Sequence, residues 1–236
     1  MVDRYLRNAN EGNATGFLFH SGDKSKWLVT AKHILLTKKG LPFHGINIAF
    51  SRTRPNIYLP ITLAEMREYG RIHINKKIDV AAIKIDQLFV GRHTVQKEYH
   101  NFGFFDSATT TNERPPVGSS VCVAGYPERN LDFNQTYLRT SCAKVIACPP
   151  ANKIRVPEWP REPPSIDDCF CIYTLVKFGM SGSPVISFGV ANSEPRLCGI
   201  CISTVGARRG SAQPSRYIEE IIEGGVGAGK YLDNHT

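Results

Sequence analysis

The chain has 236 residues, enough for one sizeable domain or two small ones, and its 42% hydrophobic and 21% charged content is ordinary for a globular protein. The formal net charge is +8, but the basic residues are scattered and no nucleic-acid-binding motif accompanies them. We therefore favour a solvated basic surface, and a nucleic-acid-associated protein is a further alternative that rests on charge alone. No apolar run approaches the roughly 18 residues that span a membrane, and we expect no membrane partner.

Cysteine usage and the start of the chain bear on the compartment. Residues 1–8 are polar and lack the apolar core of a secretory signal. Seven cysteines is an odd number, and without a signal it favours free thiols in a reducing compartment. We therefore expect a cytoplasmic protein, with a mature secreted fragment as the alternative. Cys198 and Cys201 have the spacing of a metal knuckle, but they lie in a strand pattern, where residues three apart point to opposite faces. No metal site is predicted.

The first half of the chain has the pattern of short strands separated by turns. Runs at 17–20 and 27–30 flank a Ser-Gly-Asp-Lys turn and predict a hairpin, and residues 31–36 can form one or two helical turns. Four further strand-like runs follow, at 46–50, 57–61, 71–74 and 80–85. About six short strands suit a small antiparallel barrel.

The second half repeats this pattern after a polar connection at residues 86–117. Strands are predicted at 120–125, within 135–148, and at 169–174, 184–188 and 197–203. Residues 149–164 are rich in proline, which favours an exposed loop that either is a surface excursion or covers a binding cleft. Apolar residues at helical spacing predict a terminal helix over 214–223, followed by a mobile glycine-rich end.

Three motifs could supply the parts of a nucleophilic site. Ser181 lies between two glycines in Gly-Met-Ser-Gly-Ser-Pro, on a turn before an apolar strand. A serine hydroxyl attacks a carbonyl only with a base, an orienting group and donors for the oxyanion. His33, in Thr-Ala-Lys-His, follows a strand and is the base candidate. Asp79, directly before the strand Val-Ala-Ala-Ile-Lys-Ile, is the candidate for orienting the base.

Taken together, these motifs resemble the trypsin-like (chymotrypsin-fold) serine peptidases. The order His33, Asp79, Ser181 and the spacings suit that family, and the resemblance covers roughly residues 12–223. It implies an all-β fold of two antiparallel six-stranded barrels with a C-terminal α-helix. Residues 1–105 would form the barrel with His33 and Asp79, and residues 106–236 the barrel with Ser181 and the terminal helix.

Two departures from the animal trypsins narrow the branch. Met180 stands where those enzymes have an acidic residue that pairs with a newly cut N-terminus, so activation by that route is not expected. Cysteines bracketing the histidine are also missing. The serine motif, Ala-Gly-Tyr-Pro at 124–127 and the terminal helix are closer to bacterial HtrA-like and glutamyl-endopeptidase-like members.

The resemblance implies a serine endopeptidase that cleaves protein or peptide substrates through an acyl-enzyme, with no cofactor. The backbone N–H groups of Gly179 and Ser181 would form the oxyanion hole. Five further positions would wall the substrate pocket: Leu175, Val176, Cys201, Ser203 and Thr204. No carboxylate is among them, so we expect a small or medium apolar side chain. A catalytically silent protein-binding or regulatory module of the same fold is the alternative, and a regulatory protein partner is a further expectation.

Overall fold

The computed structural model describes most of the strands and one α-helix. The described residues are 2–5, 14–35, 45–49, 58–62, 71–74, 78–86, 89–90, 93–94, 103–126, 139–147, 169–174, 179–189, 194–204, 208–224 and 226–227.

Strands β1 to β9 belong to the first half of the chain. They are β1 (Val2–Tyr5), β2 (Gly16–His20), β3 (Lys26–Ala31), β4 (Gly45–Ala49), β5 (Tyr58–Thr62), β6 (Ile72–Ile74), β7 (Val80–Lys84), β8 (Phe89–Val90) and β9 (His93–Thr94). The predicted hairpin is confirmed as β2 and β3, and a 3-10 helix at Lys32–Ile34 follows β3. The predicted connection at 86–117 also holds the short pair β8–β9 and a second 3-10 helix, Ser107–Thr109.

The remaining elements belong to the second half. They are β10 (Ser120–Gly125), β11 (Arg139–Ile146), β12 (Phe170–Tyr173), β13 (Pro184–Ser187), β14 (Arg196–Thr204), β15 (Arg209–Pro214), helix α1 (Arg216–Gly224) and β16 (Val226–Gly227). The proline-rich segment at 149–164 lies outside the described residues. The helices of the described ranges are too short or too polar to cross a membrane.

Strands β10 to β15 close into a six-stranded antiparallel barrel in the order β10-β11-β12-β15-β14-β13. Alternate residues of β10, such as Val121 and Val123, point into its apolar core. The described strands of the first half instead form two sheets, a five-stranded one in the order β16-β6-β7-β3-β2 and a three-stranded one in the order β1-β4-β5. This mostly β architecture with one closed barrel and one terminal helix is the chymotrypsin-like fold.

Helix α1 follows the second barrel in sequence but packs on β6 and β7 of the first half. Its buried residues Tyr217, Ile218, Ile221 and Ile222 share one face, as the apolar spacing predicted, and join a core cluster that includes Trp27. The helix begins two residues later than expected. Residues 226–227, expected within a mobile end, pair with β6 as strand β16.

The prediction that Cys198 and Cys201 face opposite sides of their strand was wrong. Both thiols lie fully buried in the apolar core of the second barrel. The register between β13 and β14 shifts opposite Val185 and Ile186, so that Cys198 is the extra residue of a β-bulge. A bulge resets the alternation of side chains, which brings both cysteines to the interior. Burial raises the pKa of the Cys198 thiol to about 12.

Candidate active site

Strand pairing in the first half brings His33 and Asp79 together. Ala31, the last residue of β3, is paired with Val80, the first residue of β7. The chain continues from Ala31 into the 3-10 helix that carries His33, while Asp79 directly precedes Val80. The buried Ile34 anchors the helical turn. The two candidate residues therefore lie at adjacent ends of two paired strands.

The Asp79 carboxylate is fully buried, 0% exposed, and both of its oxygens accept hydrogen bonds from His33. Oδ2 lies 2.7 Å from the imidazole Nδ1, and Oδ1 accepts from the His33 backbone N–H at 2.9 Å. An ionised carboxylate only accepts, so this contact places the ring proton on Nδ1 and leaves Nε2 as the basic nitrogen. The imidazole keeps 17% exposure, which leaves it accessible to a reactant.

Two further contacts hold the backbone of Asp79. Its carbonyl accepts from the Lys32 N–H at 3.1 Å, and its own N–H donates to the side-chain oxygen of Gln213 at 2.7 Å. Gln213 is buried and lies on β15, so a strand of the barrel holds the backbone of Asp79 in place. Lys32 is itself buried, and its burial lowers the pKa of its ammonium group to about 8, although the nearby Asp79 carboxylate opposes that shift.

Ser181 lies in a tight turn built by two glycines. The Ser183 N–H donates to the Met180 carbonyl at 3.0 Å, which closes a turn with Ser181 and Gly182 at its centre. Gly182 has φ +85°, as the second central residue of a type II turn requires, and Gly179 has φ +88°. The Met180 side chain is 1% exposed and packs in the core of the second barrel.

Strand β14 holds this turn through backbone hydrogen bonds. The Gly182 N–H donates to the Cys201 carbonyl at 2.7 Å, and the Cys201 N–H donates to the Ser183 carbonyl at 2.8 Å. In the described part of the chain, neither the Gly179 N–H nor the Ser181 N–H has an acceptor. The turn therefore presents two backbone donors next to a serine hydroxyl.

Thr15 joins the serine turn to the first half of the molecule. Its N–H donates to the Ser181 carbonyl at 2.9 Å, and its hydroxyl donates to the Gly179 carbonyl at 2.8 Å. The same hydroxyl accepts from the Tyr126 N–H at 2.9 Å. Its carbonyl accepts from the Thr30 hydroxyl at 2.7 Å, so a chain of hydrogen bonds runs from the turn to β3.

Close packing at Gly182 brings the serine turn towards His33. A Cβ on Gly182 would lie 2.0 Å from the Thr15 carbonyl oxygen and 3.1 Å from the Ala31 nitrogen, two residues before His33. The serine turn thus packs against the end of β3, from which the chain continues to His33. The hydrogen bonds of the described residues include none between the Ser181 hydroxyl and the imidazole.

The expected substrate-pocket residues are described only in part. Leu175 and Val176 lie outside the described residues, as do the side chains of Ser203 and Thr204 on β14. The Cys201 side chain is fully buried in the barrel core. The pocket stays a prediction. Among the described residues, no group of three or more His, Cys, Asp or Glu side chains could hold a metal ion.

The sequence motifs missed Thr15, Gln213 and Lys32. Thr15 and Gln213 act through contacts with residues more than a hundred positions away. A buried glutamine needs a hydrogen-bond partner, but nothing in the local sequence says which one. Lys32, directly before the candidate base, could have been noticed as a charged residue within an apolar segment.

The fold is shared with solved proteases at low sequence identity. The Rv3671c protease from M. tuberculosis, in its active form, is 16% identical, with a TM-score of 0.57 over 97% of this chain and 82% of that chain. The thermostable serine protease AL20 from an extremophilic microorganism is 15% identical, with a TM-score of 0.55 over 90% and 88%. The protease Anisep from Arthrobacter nicotinovorans is 15% identical, with a TM-score of 0.54 over 90% and 87%. No protein-family profile and no curated protein sequence matches the chain.

Proposed function

We propose that this protein is a trypsin-like serine endopeptidase that hydrolyses peptide bonds in protein substrates. Ser181 is the nucleophile, His33 the general base and acid, and Asp79 the residue that orients the base. The observation that carries the proposal is the buried Asp79 carboxylate, 2.7 Å from the His33 Nδ1. A serine turn that is hydrogen-bonded to Thr15 of the first half accompanies it.

The geometry of His33 suits proton transfer from a serine. Because Nδ1–H donates to Asp79, Nε2 is the nitrogen that would take the hydroxyl proton of Ser181 as its oxygen attacks the scissile carbonyl. The imidazolium that forms is stabilised by the buried carboxylate, and it then gives its proton to the leaving amine. Water, activated in the same way, hydrolyses the acyl-enzyme and returns Ser181 to its starting state.

Two backbone N–H groups supply the electrostatic part of the mechanism. The backbone N–H groups of Gly179 and Ser181 would receive the oxyanion of the tetrahedral intermediate, and loss of one such donor typically costs about 3–4 kcal/mol of barrier. Their positions next to the Ser181 hydroxyl follow from the left-handed conformation of Gly179 and Gly182. No cofactor enters these steps.

The finer assignments rest on the sequence motifs and on the structural neighbours. AL20 is a serine protease and Anisep is a protease, which supports protein substrates for this chain. We place it nearer the HtrA-like and glutamyl-endopeptidase-like members than the animal trypsins because Met180 is apolar and buried. A pocket without a carboxylate favours a small or medium apolar residue before the cleaved bond, and we propose a cytoplasmic location.

Replacement of the nucleophile is the direct test. Ser181→Ala should lower hydrolysis of a fluorescent casein by about 10⁶-fold and abolish labelling by a fluorophosphonate probe. Ser187→Ala is the matched control, since Ser187 lies on the following strand with its hydroxyl donating to the Arg196 carbonyl. That variant should keep parental activity and labelling. Equal turnover by Ser181→Ala and the parent would overturn the assignment of the nucleophile.

A catalytically silent binding module is the second candidate. One observation favours it: the described hydrogen bonds include none from the Ser181 hydroxyl to His33. Catalytic hydrogen bonds are often long in a free enzyme and shorten when substrate binds, so the endopeptidase is the better conclusion. The probe separates the two, because a silent module would leave Ser181 unlabelled in the parent protein.

A further inference from the structure

Two cysteines face each other across the hairpin formed by β10 and β11. Cys122 is the register partner of Cys142. The neighbouring residues Val121 and Val123 point into the barrel core, so Cys122 lies on the opposite, outward face. On that face the next pair along the ladder is Ser120 with Lys144, whose ammonium donates to the serine hydroxyl at 2.8 Å.

The phase of the backbone ladder brings these two thiols close. The Val145 carbonyl accepts from the Gly118 N–H at 2.8 Å, one residue out of register, but the Val145 N–H donates to the Ser119 carbonyl at 2.9 Å. This second bond places residues 119 and 145 in phase with the hydrogen-bonded pairs of the ladder. Such pairs alternate along an antiparallel ladder, so Cys122 and Cys142 form a pair without hydrogen bonds. In pairs of that kind the Cα atoms are about 4.5 Å apart, within the roughly 4.4–6.8 Å that a disulfide spans.

The two thiols differ in their surroundings. Cys142 is exposed, whereas the five other cysteines of the described ranges, including Cys122, are buried. Burial, and secondarily the neighbouring Cys142, raises the pKa of the Cys122 thiol. An exposed thiol next to a second, shielded one is the arrangement of an attacking cysteine and its resolving partner.

We propose that Cys142 and Cys122 are an oxidisable pair that forms an intrachain disulfide between β10 and β11, with a small-molecule disulfide such as oxidised glutathione as the oxidant. The Cys142 thiolate attacks one sulfur of the oxidant, breaks its S–S bond and releases one glutathione thiolate. Cys122 then loses its proton to solvent and attacks the Cys142 sulfur, which expels the second glutathione thiolate. The protein loses two electrons and two protons, and the oxidant is reduced to two glutathione molecules.

The disulfide would restrain β10, the strand whose last residue packs against Ser183 of the serine turn. From Cys122, strand β10 continues to its last residue, Gly125, where a Cβ would meet the Ser183 hydroxyl oxygen at 2.0 Å. The next residue, Tyr126, donates its N–H to Thr15. Closing a loop of about 20 residues removes conformational freedom from the unfolded chain, so oxidation should raise the thermal midpoint by about 5–10 °C.

The experiment treats the reduced, full-length protein with oxidised glutathione and follows it by intact mass and tryptic mapping. We expect a transient adduct of one glutathione, then a species two hydrogens lighter than the reduced protein. Trypsin releases Cys142 in residues 140–144 and Cys122 in residues 98–129, each peptide with a single cysteine. A disulfide-linked pair of these peptides, together with the rise in midpoint, is the expected result.

Variants separate the two roles. Cys122→Ser should stop at the glutathione adduct on Cys142, and Cys142→Ser should form neither the adduct nor the disulfide at this hairpin. Cys169→Ala, which removes a buried cysteine elsewhere, should still form it. Persistence of the adduct in the parent, or linkage of other cysteines only, would overturn the proposal. The map of the parent decides this without any variant having to fold.

Discussion

The histidine side and the serine side of the candidate site are held in different ways. His33 and Asp79 come from the ends of two directly paired strands, β3 and β7, so the pairing register alone brings them together. The turn that carries Ser181 belongs to the other half of the chain and reaches the histidine side through Thr15 and through close packing at Gly182. The base is therefore positioned by a sheet, while the nucleophile depends on how two halves of the molecule fit together.

Because the two sides are held differently, substitutions on them should affect turnover and stability differently. A change on the histidine side should alter the chemistry of a site that keeps its shape. A change on the serine side should alter the placement of the turn, and with it stability as well as turnover. Variants on the two sides should therefore separate into those that lose turnover at unchanged stability and those that lose both.

Asp79→Asn should have the largest effect, about a 10⁴-fold fall in turnover with the fold retained. An amide of the same shape can keep the backbone contact to His33, but it no longer fixes the proton on Nδ1. Turnover of a fluorescent casein and a thermal melt measure the two quantities. Asp86→Asn is the matched control, because Asp86 follows the other end of β7 and its carboxylate also accepts from a backbone N–H, that of Lys26. A loss of less than tenfold in Asp79→Asn would contradict the role of the carboxylate.

Gly182→Ala should destabilise the protein by about 3 kcal/mol or more and lower turnover together with stability. The added Cβ would lie 2.0 Å from the Thr15 carbonyl oxygen and 2.4 Å from the Thr30 hydroxyl, at a residue with positive φ. Urea unfolding gives the free energy. Gly22→Ala, where a Cβ meets nothing within 4 Å, should be nearly neutral. Equal stabilities of the two variants would argue against tight packing between the halves.

Lys32→Met should remove a pH dependence of stability that belongs to the histidine side. The pKa of Lys32 falls from 10.5 to about 8 on folding, so between these values the unfolded chain binds more protons. The contribution of Lys32 to the free energy of unfolding therefore rises with pH across this window and is lost as pH falls through about 8.

The contribution of Lys32 to the free energy of unfolding should change by about 1–3 kcal/mol across this window. We expect the parent to gain stability relative to Lys32→Met between pH 7.5 and 10, as measured by urea unfolding at several pH values. Taking the difference cancels the contribution of thiols that titrate in the same range. Parallel curves for the two proteins would show that Lys32 is already neutral or is solvated.

Thr15→Val should have the smallest effect, about 1–3 kcal/mol of destabilisation. The substitution keeps the shape of the side chain but removes the hydroxyl that joins the Gly179 carbonyl to the Tyr126 N–H, and both groups lose a partner. Thr140→Val, at an exposed position of β11, should change stability by less than about 0.5 kcal/mol. If both variants unfold at the same urea concentration, the link between the halves does not depend on this hydroxyl.

The sequence predicted the parts of this site that depend on local pattern. Ser181, His33 and Asp79 stand in recognisable strand–turn contexts, and the face of α1 follows from its apolar spacing. The support of Asp79 by Gln213 could not be predicted, because it depends on how the barrel meets the five-stranded sheet of the first half. The bulge at Cys198 could not be predicted for a related reason. A single extra residue changes which side chains of a strand face the core, and the extra residue is identified only by the pairing with the neighbouring strand.

The return of the chain to the first sheet after the second barrel has a consequence for folding during synthesis. The core around Trp27 is completed by Tyr217, Ile218 and Ile221, which leave the ribosome about 190 residues later. The first half cannot bury that apolar surface until synthesis has passed helix α1, although domains generally fold from the N-terminus onwards. Contacts at such sequence separation slow folding. The second barrel, whose strands are contiguous in the chain, is the part that can close first.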